Sequence, residues 1–210
     1  MTEAAVTPSS EGHQIPEAHY TSTGLDNRKL AMWGFLGSEC LLFGALISAY
    51  LLYRGRGEGT KPIDVYDIPY TSVSSFVLLM SSLTMVLALS ALQRDDERQS
   101  RVWLMATALL GMTFIGGQVY EFTTFVHEGL SLTSNPASSA FFVLTGFHGT
   151  HVTLGIIMLL SLVGMSAAGK VGKQNSLYVE LVGLYWHFVD IVWVVIFTVV
   201  YLMPSPSGAG

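Results

Sequence analysis

Charge is scarce in this sequence, and that scarcity excludes most soluble functions first. Asp, Glu, Lys and Arg make up 12% of the 210 residues, against roughly 25% in soluble domains. Cysteine is nearly missing as well: Cys40 stands alone, which excludes a disulfide framework and a cysteine-based metal motif. The ten basic residues are scattered and the formal net charge is −5. A nucleic-acid partner is therefore not expected, because phosphate binding needs clustered Lys and Arg. Residues 1–27 have no continuous apolar core, so they read as a polar, flexible tail and not as a secretory signal. Thr2 fails the N-myristoylation pattern. The chain also lacks a phosphate loop, a dinucleotide fingerprint, H-E-x-x-H and a nucleophile elbow. No internal repeat suggests a transporter built from inverted halves.

What the chain does have is apolar length. Half of its residues are hydrophobic and 21 are glycine, a composition suited to closely packed membrane helices. Five stretches, about 30–53, 72–92, 102–126, 139–168 and 178–203, exceed the roughly 20 residues that cross a hydrocarbon core about 30 Å thick. The predicted fold is all-α, a polytopic bundle of five transmembrane helices over 28–204, with short tails at 1–27 and 205–210. Polar breaks separate the helices at 54–69, 93–101, 127–136 and 169–175. Arg28, Lys29, Arg94, Arg98, Arg101, Lys170 and Lys173 fall on one side, and Arg54, Arg56 and Lys61 on the other. That asymmetry predicts a cytoplasmic N-terminus and an external C-terminus.

Ionisable residues inside these stretches are the candidate functional groups, since each costs about 2.5–3.5 kcal/mol at mid-bilayer on insertion scales. Glu39 on the first helix lies about 14 Å from the cytoplasmic end at 1.5 Å per residue. His148 and His151 on the fourth helix, and His187 and Asp190 on the fifth, lie about 14 and 18 Å from the ends at which their helices begin. Each pair is spaced i,i+3 and shares a helix face, as do Gln118 and Glu121 nearer the outer end of the third helix. The structural alternative is that these groups simply hydrogen-bond across helix contacts, for under about 2 kcal/mol each. His187 beside Asp190 suits a local pair, and Thr145, Gly146, Gly149 and Gly155 around the other histidines suit tight packing. Trp186 and Trp193, one heptad apart, read as core or lipid contact. Haem held between His151 and His187 is a further alternative, though Asp190 beside them fits a hydrogen-bond network better.

Four segments then form a recognisable series. GFLGSECLLFGALISAY (34–50), GQVYEF (117–122), TGFHGTHVTLG (145–155) and YWHFVDIVWVVIFTVVY (185–201) resemble, in order, motifs of the subunit III family of haem–copper cytochrome c and quinol oxidases. The resemblance covers 30–203 and is to the short five-helix bacterial form, without the two N-terminal helices of the seven-helix form. It implies a non-catalytic subunit of a proton-pumping terminal oxidase in a bacterial plasma membrane, with cytochrome c the first expectation for donor over quinol. It implies no metal or redox cofactor in this chain. Haem and copper belong to partner subunits I and II, with subunit I in direct contact and further subunits and structural phospholipid alongside. Glu39, His148, His151, Trp186, His187 and Asp190 match positions expected to support lipid binding or proton uptake. Gln118 and Glu121 match a polar helix-contact network. An accessory subunit of a nitric oxide reductase is the alternative within the family, and an independent proton channel the alternative outside it.

Overall fold

The computed structural model describes residues 26–54 and 68–203, apart from 128 and 134. Most of both tails and residues 55–67, with Arg56 and Lys61, lie outside the described residues. The helices are α1 (Asn27–Tyr53), α2 (Ile68–Gln93), α3 (Glu97–His127), α4 (Pro136–Ala167) and α5 (Ser176–Phe197), the last continued by a π-helical turn over Thr198–Leu202. Among the described residues, five helices are long and apolar enough to cross a membrane.

Capping chemistry sets where these helices begin and end, so they overrun the apolar stretches. Asp26 accepts the Arg28 backbone N–H at 2.8 Å and starts α1 three residues before the apolar run. Asp96 accepts the Gln99 N–H at 2.9 Å, which makes most of the charged run 93–101 the first turn of α3, leaving a tight turn in which Asp95 adopts φ 63°. Pro69 was expected in a break but sits second in α2, where its missing N–H costs nothing. Asn135 caps α4 through the Ser138 N–H at 2.7 Å, with Pro136 as the first helical residue. At the other end of α4, Gly169 takes φ 68°, and Lys170 N–H reaches back to the Met165 carbonyl at 2.9 Å. This is a Schellman stop, which favours glycine at that position.

Successive helices run in opposite directions, as contacts at the two ends require. At the end rich in basic residues, Lys29 pairs with Glu180 at 2.6 Å and Arg101 donates to the Ser166 carbonyl at 2.9 Å. At the opposite end Glu121 accepts from Thr71 at 2.7 Å and from Tyr201 at 3.2 Å. Helix α5 packs on α1, α2 and α4, and α3 packs on α2 and α4. The most apolar window of α5 is 44% buried, and that of α1 only 17%. Thus α5 is the core helix, and α1 is an outer helix laid on α4 and α5.

Candidate functional site

The mid-membrane polar residues do not form one cluster; packing distributes them among three helix interfaces. Between α1 and α4, Glu39 Oε2 lies 3.1 Å from His151 Nε2. His151 Nδ1 is 2.8 Å from the Phe147 carbonyl one turn earlier. A carbonyl only accepts, so Nδ1 carries a hydrogen. The Glu39–His151 contact then holds one shared proton, as carboxylic acid with neutral imidazole or as carboxylate with imidazolium. In both forms the pair is neutral overall, which removes much of the cost of a lone charge at this depth. The Tyr185 hydroxyl donates to the His151 carbonyl at 3.0 Å and ties α5 to the same point. The ring of Phe43 stands edge-on to His151 with centroids 5.0 Å apart.

His148, one turn away, has a different environment. It is fully buried, lies 4.8 Å from Trp193 in a stacked arrangement and meets Phe114 edge-on at 6.0 Å. Neither ring nitrogen has a hydrogen-bond partner among the described residues. Between α2 and α5, His187 Nδ1 pairs with the Ser82 hydroxyl at 2.5 Å. Ser82 is also a polar neighbour of Asp190, whose carboxyl oxygens are buried with no partner at hydrogen-bond geometry among the described residues. His187 therefore turns to α2, and His151 turns to α1. The two imidazoles that a shared haem would require do not form a ligand pair. Among the described residues, no group of three or more His, Cys, Asp or Glu is gathered as a metal would need.

Trp186 is 1% exposed, and its indole N–H donates to Ser81 Oγ at 2.9 Å; Trp193 does the same to Ser75 at 2.9 Å. His148, Trp186 and Asp190 are buried inside the bundle, at 0%, 1% and 4% exposure. Glu39 and His151 keep 15% and 12% of their side chains accessible. Glu121 joins α3 to α2 through Thr71 and to the π-helical turn after α5 through Tyr201, whereas Gln118 Nε2 is buried without a partner among the described residues.

Sequence reasoning missed the hydroxyls that receive these groups: Ser75, Ser81 and Ser82 on α2, and Tyr185 and Tyr201 on α5. The serines at 75, 81 and 82 do recur near helical spacing, but serine is too common in membrane helices for that to stand out. It also missed an apolar groove of about 690 Å³ at the end opposite the basic one. Its walls are Leu46, Ala49 and Tyr53 of α1 against Ala140 and Val143 of α4, with Asn135 at its rim. Nothing in apolar residues of this kind separates a groove wall from a packed core.

Fold and site together define a helical protein of multi-pass membrane type whose polar groups join neighbouring helices. A family model described as cytochrome c oxidase subunit III matches residues 16–205, and the chain belongs to that family. It is 39% identical to cytochrome c oxidase subunit 3 of Bacillus sp. (strain PS3) over 189 residues, 90% of this chain and 91% of that one. It is also 39% identical to a probable quinol oxidase subunit 3 of Staphylococcus saprophyticus over 177 residues, 83% of this chain and 88% of that one. Quinol oxidase subunit 3 of Bacillus subtilis is 36% identical over 189 residues, 90% and 92% of the two chains.

Proposed function

We propose that this chain is subunit III of a proton-pumping haem–copper terminal oxidase in a bacterial plasma membrane, with its N-terminus in the cytoplasm. It carries no redox centre; haem and copper reside in subunits I and II, and it packs directly on subunit I. Its task is to bind phospholipid and sustain proton uptake while the complex reduces oxygen. Relatives named for cytochrome c and for quinol are equally identical to it, at 39% each, as expected when the donor docks on other subunits. The groove between α1 and α4 suits an acyl chain, its apolar wall facing the hydrocarbon and Asn135 at the rim.

The observation that carries the proton-uptake role is the Glu39–His151 pair, at 3.1 Å. Glu39 lies about 18 Å along α1 from Asn27, near the middle of a helix about 40 Å long. Glu39→Gln keeps an N–H donor toward His151 Nε2 but removes the exchangeable carboxyl proton; Glu39→Ala removes both. Both variants are expected to assemble with unchanged haem content. Each should shorten the active lifetime of the oxidase or slow its proton uptake, measured by oxygen consumption and by pH change in vesicles. A Gln variant equal to the native complex in both measurements would show that the pair only joins helices.

A further inference from the structure

Asp190 is a carboxyl sealed inside the bundle, apart from the Glu39–His151 pair. It lies about 21 Å along α5 from Ser176, near the middle of a span about 40 Å long with the π turn included. It is 4% exposed, and neither carboxyl oxygen has a partner at hydrogen-bond geometry among the described residues. A lone carboxylate at that depth is costly, so a neighbour must share its charge or its proton. Helical spacing sets Trp186 and Trp193 beside it, at i−4 and i+3. Their indole N–H groups are already given to Ser81 and Ser75. Those two hydroxyls donate in turn to the Leu78 and Thr71 carbonyls.

Ser82 of α2 stands differently. Its oxygen is 2.5 Å from His187 Nδ1, and it also neighbours Asp190. A hydroxyl has one hydrogen and two lone pairs, so it can pass a proton in either direction. When His187 is imidazolium and Asp190 a carboxylate, Nδ1 gives its proton to Ser82 Oγ as the Ser82 hydrogen moves to Asp190. The imidazole keeps its hydrogen at Nε2, the carboxyl becomes neutral and Ser82 is a hydroxyl again. The reverse transfer restores the ion pair. His187 is the end open to exchange. It is half-buried and shares a helix stripe with Ile191 and Val194, which are 64% and 42% exposed.

We propose that Asp190, Ser82 and His187 form a proton relay: the buried Asp190 carboxyl stores a proton that exchanges through Ser82 with His187. This is a second proton site, separate from Glu39, and its use in turnover rests on the reading of the chain as an oxidase subunit. Infrared spectra of the purified complex, moved from water to heavy water, test it. A protonated-carboxyl C=O band that is absent from Asp190→Asn but present in Glu39→Gln is expected, shifting as deuterium enters. Ser82→Ala should slow that shift about tenfold or more, and Ser82→Thr, which restores a hydroxyl, should recover it. If the hydroxyl only joins helices, Ser82→Ala will exchange as fast as the native complex, and the relay is overturned. The absence of any Asp190 band at neutral pH would overturn it too, since the carboxyl would then be ionised and store no proton. A preparation without haem would sink the functional reading, while the band would still decide the relay.

Discussion

Trp186 sets the spacing of three helices, and it does so with one ring. Its Cη2 and Cζ2 stand against Gly111 of α3, its Cε3 and Cζ3 against Gly155 of α4, and its indole N–H reaches Ser81 of α2. Larger side chains at the two glycines would push those helices off α5, because a buried indole cannot give way as a flexible side chain would. Gly155→Ala is expected to destabilise the bundle by about 1–3 kcal/mol, the usual cost of overpacking. Thermal unfolding in detergent checks this, and an unchanged midpoint would mean that the ring moves freely. At the same scale, the Glu39–His151 contact converts two costly groups into one neutral unit. Both residue types and both depths were readable in the sequence, but their pairing was not. Helix spacing gives height along the membrane normal, whereas the partner depends on how α1 and α4 are rotated about their axes.

At the scale of elements, all five helices were legible from apolar length, and their ends were not. Hydropathy marks where the chain leaves hydrocarbon. Helices continue until a cap stops them, as at Asp96 for α3 and Gly169 for α4. The π-helical turn at the end of α5 left no sequence signal either. A π turn rotates the residues that follow relative to a regular helix. Here Val200 and Tyr201 are both buried within it, and the Tyr201 hydroxyl reaches Glu121 at 3.2 Å. Thr71 approaches the same carboxylate oxygen from α2. This end of the bundle is thus joined across α2, α3 and α5. Removing the hydroxyl in Tyr201→Phe should cost about 1 kcal/mol, in the range measured for hydrogen bonds between membrane helices. A lowered unfolding midpoint with intact helix content by circular dichroism is the expected result. No shift would show that Thr71 suffices.

For the whole molecule, the distribution of charge governs placement. Counted by their place in the sequence, seven basic residues fall in the segments on one side of the spans and three on the other. That asymmetry predicts that the α2–α3 turn faces the cytoplasm and the α3–α4 turn faces outward. In a Cys40→Ala background, a membrane-impermeant maleimide added to spheroplasts should label Thr133→Cys and leave Gln99→Cys unlabelled. The reverse pattern would invert the proposed orientation. The exposed apolar residues of α1, among them Trp33 at 59% and Leu41 at 78%, are compatible with lipid or with protein neighbours in a larger complex.

By itself the sequence determined the class of protein, the number of long apolar helices, the family and the position of each polar group along its helix. Each of these follows from composition, run length and motif order along one dimension. Only the tertiary structure decided which polar groups meet: Glu39 with His151, His187 with Ser82, and Glu121 with Thr71 and Tyr201. It also decided that His148 and Asp190 lie buried inside the bundle, and that Gln118 lines a groove between α3 and α4. The reason is geometric. A helix of known length still has a free rotation about its axis, and interhelical packing, here around Trp186 and the glycines that admit it, removes that freedom.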